Sequence, residues 1–294
     1  MLQLSRDELA LCLMPEAGGA MVRLTARGVD VLRRGDPAAV AGDPTAAACF
    51  PLVPYSGPIA GGRVSFGGVE HRLARNHPNE PEPVHGEGWI ARWEAVQHGP
   101  AEATLRYRHT PRPGAFPFPY LAEQHIAVHG GGVTVGLSVT NLGDLPMPAG
   151  IGLHPYFPNR SGLRLELQAS GMWARRPLAS DSRPVGPVPK SWRFAPAGPA
   201  AGLVVDDSFV GWGGRARLSW PERGVTVELG ADAVFRFVQL YATADDDFLC
   251  VEPVSNTNDG FNLLAAGVPG HGVEILAAKK RLAGAIRLGV LQAG

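Results

Sequence analysis

Apolar and polar residues alternate with a period of two along most of the chain. The runs AMVRLTARGVDVL (20–32), RVSFGGVEHRL (63–73), ATLRYRHT (103–110) and LAEQHIAVHGGGVTVGLSVTN (121–141) read this way. So do LRLELQAS (163–170), RARLSW (215–220), VTVELG (225–230) and FRFVQLYAT (235–243). Successive side chains of a strand point to opposite faces, so each run predicts a strand with one face turned to a core. Glycine-bearing links join neighbouring runs: FGG at 66–68, HGGG at 129–132 and PERG at 221–224. Links of this kind close turns between antiparallel strands. No stretch long enough for an ordinary helix keeps an i, i+3, i+4, i+7 apolar face clear of Gly and Pro. The predicted fold is all-β, with roughly eighteen or more antiparallel strands in one large two-sheet sandwich or in two smaller ones.

Composition sharpens this picture. The chain has 294 residues, of which 38 are Gly and 27 Pro, and 45% are hydrophobic, so dense turns coexist with enough apolar surface for a core. No linker-like stretch and no repeat of fixed period divides it, and residues 1–294 are read as one domain. The proline-rich segment RRPLASDSRPVGPVPKSWRFAPAGPA (175–200) is expected to be a long surface excursion. Lys+Arg and Asp+Glu both number 27, so no net charge directs the protein to nucleic acid or a membrane surface. A neutral small molecule is the natural partner. Charges at Arg6, Asp7 and Glu8 interrupt the N-terminal stretch, which reads as neither a signal peptide nor a membrane span, and a cytoplasmic location is expected. Cys12, Cys49 and Cys250 are too few and too scattered for a disulfide framework or a four-sulfur zinc site, and are read as reduced buried thiols.

Four segments carry polar groups where chemistry is possible. In EPVHGEGW (82–89), His85 precedes a turn glycine and Trp89; read alone it fits a surface loop as well as a site. In GLHPYF (152–157), Pro155 removes a ladder donor and biases His154 toward extended backbone, compatible with a packed core imidazole or with a working acid. LVVDDSF (203–209) places Asp206 and Asp207 after an apolar run, the pattern of a turn at a strand end. In FLCVEPVSNTNDGFN (248–262), Glu252 ends an apolar run, so its carboxylate is expected to be partly buried with a raised pKa, which suits a general base. His125 and His129 have H-x-x-x-H spacing but lie in a strand-like run with no Glu after His125, so no metal site is assigned. The chain holds no G-x-S-x-G elbow, no Walker sequence and no dinucleotide fingerprint between a strand and a helix.

Taken together and in this order, these segments resemble the aldose 1-epimerase (galactose mutarotase) family. VPYSGPIAGGRVSFGGVEHRLARN looks like the family's Ser-Asn-Arg-Ile segment with its glycine turn, strand and closing Asn. PVHGEGW and GLHPYF look like its two histidine motifs, VDDSF resembles its Asp-x-x-Phe element, and VQLYAT resembles its Gln-x-Tyr-Thr strand. VEPVSNTNDGFN resembles the segment with the catalytic glutamate, closed by Asn262. The resemblance implies a β-supersandwich that binds a free aldose without a cofactor and interconverts its anomers. It implies His154 and Glu252 as general acid and base, and His85, Asp206 and Gln239 as sugar-binding residues. Ring opening takes a proton from the anomeric hydroxyl and gives one to the ring oxygen, and the expected arrangement has the two groups on opposite sides of the sugar.

One position departs from the family pattern. Gly57-Pro58 stands where the family commonly has Asn-Arg, so a sugar-contacting guanidinium is missing. Arg63 or Arg75 is a candidate to replace it. The departure also raises two alternatives: a non-catalytic sugar-binding protein, and a mutarotase of a phosphorylated sugar with Arg63, Arg72 and Arg75 as its basic patch. The sequence leaves monomer and homodimer equally open.

Overall fold

The alternating runs assemble into two large antiparallel sheets, one of eleven strands and one of nine, with two small two-stranded sheets beside them. The structure, a computed structural model, describes residues 1–173 and 184–292. Six strands of the eleven-stranded sheet position the site: β1 (Ala20–Ala26), β2 (Cys49–Leu52), β3 (Gly152–Pro158), β4 (Val205–Val210), β5 (Phe237–Ala242) and β6 (Phe248–Val254). Their spatial order is β1-β2-β3-β6-β5-β4, so segments far apart in sequence become neighbours. The nine-stranded sheet is centred on Gly132–Asn141 and Arg281–Gln292.

The period of two explains how one sheet serves two purposes. Leu153, Phe157, Leu249, Val251, Val238, Leu240, Val205 and Phe209 face the main core. The residues between them turn to the opposite face, where Phe50, Tyr156, Cys250, Phe237 and Val254 join Trp89 in a second apolar cluster. These strands are thus buried on both faces. That is why their sequences read as nearly continuous apolar runs, interrupted only where a polar group enters the second face.

The three links read as turns do join strands: Arg63–Phe66 to Val69–Arg72, Tyr120–His129 to Gly132–Asn141, and Arg215–Trp220 to Val225–Ala231. Only two α-helices occur among the described residues, Pro37–Gly42 and Gly260–Ala265, each of six residues. The first has Pro at its start and Asp36 as its cap, accepting from Ala38 N at 2.8 Å. At that length a helix shows no periodicity a sequence reading can detect. Among the described residues no helix is long and apolar enough to cross a membrane.

Two expectations change. The segment 175–200 is not only a surface excursion. Residues 174–183 lie outside the described part, but Pro184–Val185 pairs with Gly171–Trp173 and Phe194–Pro199 pairs with Arg164–Leu167, forming an outer strand of each large sheet. Prolines, which lack a donor, are tolerated at such edges. Asp206 and Asp207 likewise sit inside β4 rather than at a turn, because the cross-strand partners Tyr241 and Leu240 hold that stretch in the ladder.

Candidate active site

Register builds the site. His154 pairs with Phe50 on β2, Gln239 pairs with Glu252, and Ser208 pairs with Gln239. Between β3 and β6 the partners Gly152↔Val254 and Tyr156↔Cys250 bring His154 opposite Glu252. A row Phe50–His154–Glu252–Gln239–Ser208 therefore crosses five strands on the second face. Beside it runs a row Tyr156–Cys250–Tyr241–Asp206. Neighbouring strands lie about 4.8 Å apart, close enough for side chains in one row to touch.

His154 Nε2 lies 3.4 Å from Glu252 Oε1, and the two residues are only 7% and 2% exposed. The imidazole is packed between Phe50 and Tyr156, with ring centroids 4.6 Å away in each case. Its Nδ1 is buried and has no hydrogen-bond partner among the described residues. Burial, with smaller contributions from His85 and Arg33, holds the His154 pKa well below the usual imidazole range. Burial, then the nearby Asp206 carboxylate, pushes Glu252 well above the usual carboxylate range. Both effects favour a neutral imidazole beside a protonated carboxyl. The direct cross-strand pairing makes these two groups neighbours.

His85 reaches the same cleft from a loop. Its backbone is left-handed (φ 61°), it exchanges hydrogen bonds with Gly57, and its ring meets that of His154 edge-on at 5.6 Å between centroids. Gly57 N donates to His85 Nδ1 at 3.1 Å, so in the neutral ring the hydrogen sits on Nε2. Asn76, the Asn that closes the motif, staples this loop: its Nδ2 donates to Val84 O and Gly86 O, and its Oδ1 accepts from Val84 N. Gly57 itself is at φ 76°, and a Cβ there would stand 2.2 Å from Asn258 Oδ1, so the turn is shaped for glycine.

Gln239 is fixed at both ends of its amide, donating to Asp206 Oδ1 at 2.8 Å and accepting from Ser208 Oγ at 2.6 Å. Tyr241 also lines the cleft; burial, then Asp246, pushes its phenol up to about 12, so it remains a hydroxyl donor. Asn262 does not line the cleft: it donates to Asp259 Oδ1 and Ala60 O, tying the segment after Glu252 to the Gly57-Pro58 turn.

Arg63 and Arg75, the candidate replacements, and Arg72, which with them makes the candidate basic patch, lie elsewhere. Arg63 and Arg72 pair with Glu70 on an exposed hairpin, and Arg75 donates to Pro78 O and Glu80 O. None lines the cleft, but Arg33 does. No local motif marks Arg33, which the sequence reading passed over. His125 and His129 sit on Tyr120–His129, where they contact Thr104 and Thr134 respectively. Among the described residues one metal-capable set exists beside the cleft, since ligand atoms of His154, Cys250 and Glu252 all lie within 4.8 Å of one another. Burial pushes the Cys250 thiol well above its usual value, favouring the poorly ligating thiol over the thiolate.

Comparison with known proteins agrees with the family resemblance and the fold. The sequence profile of the family "Aldose 1-epimerase" matches residues 1–281. The uncharacterized protein YphB of Escherichia coli (strain K12) is 33% identical over 251 residues, 83% of this chain and 84% of the relative. A crystal structure from Escherichia coli K12, of a protein provisionally named an aldose 1-epimerase, superposes with a TM-score of 0.88 at 29% identity, over 99% of this chain and 98% of the other. A galactose mutarotase-like protein from Clostridium acetobutylicum shares the fold, with a TM-score of 0.83 at 16% identity over 99% of this chain and 95% of its own.

Proposed function

Because this chain belongs to the aldose 1-epimerase family, we propose that it is an isomerase that interconverts the α and β anomers of a free aldose by opening and reclosing the sugar ring. The observation that carries this reading is the buried contact of 3.4 Å between His154 Nε2 and Glu252 Oε1.

The anomeric oxygen and the ring oxygen share one carbon, so two groups that are themselves neighbours can each address one of them. Glu252 takes the anomeric proton, His154 gives its Nε2 proton to the ring oxygen, the bond between C1 and the ring oxygen breaks, and the aldehyde forms. The pair holds one proton throughout. As an imidazolium and a carboxylate it serves the closed sugar; as a neutral imidazole and a carboxylic acid it serves the open aldehyde. In the empty cleft burial favours the second distribution. After rotation about the C1–C2 bond the same two transfers run backwards and close the ring on the other face. His85 Nε2–H donates to the sugar, Asp206 accepts from its hydroxyls, and Gln239 holds Asp206 in place.

Polarimetry on freshly dissolved α-D-glucose and α-D-galactose tests the reading. Wild type is expected to accelerate anomer exchange, and Glu252→Gln to lose on the order of 10²–10⁴ of that rate while still folding and binding sugar. Undiminished exchange in the variant would remove Glu252 from the reaction. Saturable sugar binding by wild type without exchange would favour a binding protein instead.

A further inference from the structure

The guanidinium missing at Gly57-Pro58 is present elsewhere in the cleft. Arg33 follows Val31 and Leu32, both fully buried, and its backbone N–H donates to Tyr156 O at 2.8 Å, which anchors it against β3. Its Cζ stacks 3.7 Å from the Tyr156 ring centroid and 4.9 Å from that of Phe248. Nη2 donates to the carbonyls of Thr45 and Ala47. One face and one nitrogen of the fork are therefore fixed, and little side-chain freedom remains to be lost on binding. Nε–H and both Nη1 hydrogens make no hydrogen bond to any described residue, although the group lines the cleft.

Position gives these donors a use. Tyr156 is stacked by His154 at 4.6 Å and by Arg33 at 3.7 Å, and two planar groups that close on one ring require its two faces. Tyr156 therefore stands between the acid–base pair and the guanidinium. A sugar with its anomeric carbon at His154 and Glu252 would bring the far side of its ring toward Arg33.

We infer that Arg33 is a specificity-determining residue that donates to a hydroxyl oxygen on C4 or C6 of a neutral aldose, supplying from the far end of the cleft the contact that Pro58 cannot make. This rests on the mutarotase reading above. The neutral class follows from that reading, and Asp206 and Glu80, which also line the cleft, offer oxygens that accept from sugar hydroxyls. The binding is thus mixed, with donors at Arg33 and His85 and acceptors at Asp206 and Glu80.

The test measures anomer exchange by wild type and Arg33→Met, with Arg33→Lys as the conservative variant, on D-glucose, its 4-deoxy and 6-deoxy analogues, and D-glucose 6-phosphate. A lost hydrogen bond to a charged donor predicts KM raised about 10- to 100-fold in Arg33→Met with kcat little changed. Wild type should lose a similar factor on one deoxy sugar, and Arg33→Met should lose nothing further on that sugar. Equal penalties on every sugar, or unchanged KM, would overturn the assignment and leave Arg33 a brace for Thr45 and Ala47. Preference for the 6-phosphate over glucose would overturn the neutral class. Absence of exchange by wild type on all four sugars and on D-galactose would instead remove the mutarotase reading, and this inference with it.

Discussion

Glu252 is 2% exposed and has no cationic side chain beyond His154 within ion-pair distance among the described residues. In the folded protein it therefore keeps its proton to a higher pH than in the unfolded chain, where it ionises near 4.5. A raised carboxyl pKa means that this group's contribution to stability is complete below 4.5 and is lost as the pH rises through the folded value. His154 acts with the opposite sign: with its pKa lowered, its contribution is lost as pH falls below 6.5. Glu252→Gln removes the first effect. Urea denaturation at pH from about 5 to about 8 should show the variant gaining on wild type with increasing pH, by at most about 1.4 kcal/mol per unit. A constant difference would mean that Glu252 titrates as in the unfolded chain. At this scale the sequence was informative where local pattern revealed environment: an acid after FLCV announces burial, and a His before Pro announces a strand. It was silent on Arg33, whose role depends on the distant residues Thr45, Tyr156 and Phe248.

Between residue and molecule, the loop bearing His85 shows what an element needs. Its left-handed backbone is held by Asn76 through bonds of 2.7, 2.8 and 2.9 Å and by the exchange with Gly57. Asn76→Ala removes three bonds at once and leaves Val84 N–H and Gly86 O to find water, while Val84 O keeps the Trp89 indole donor. The expected cost is about 1–3 kcal/mol, read by urea denaturation, together with a raised KM as His85 loses its place. Unchanged KM would mean that Gly57 suffices to hold His85. Strands and hairpins were legible because alternation and glycine links are local signals. The outer strands of 184–199 were not, because prolines hid them, and neither was the order β3-β6-β5-β4, which brings together segments separated by scores of residues.

Across the whole molecule, one sheet face builds the core while the other builds the cleft, so neighbouring residues on a strand have separable duties. Leu240 is fully buried in the main core, next to Gln239, which faces the cleft. Leu240→Ala should cost about 2–5 kcal/mol in urea denaturation while leaving the KM for the sugar within about two-fold of wild type. A large KM change at unchanged stability would show that the two faces are not independent.

The same arrangement imposes a rule of parity on change. Glu252, Gln239, His154 and Asp206 enter the cleft because each occupies the correct alternate position of its strand. Gain or loss of a single residue early in β6 would exchange the duties of Val251 and Glu252, sending a carboxylate into the core and a valine into the cleft. Length changes within these strands can preserve both faces only in even steps, so an odd change in length is tolerated only in the loops.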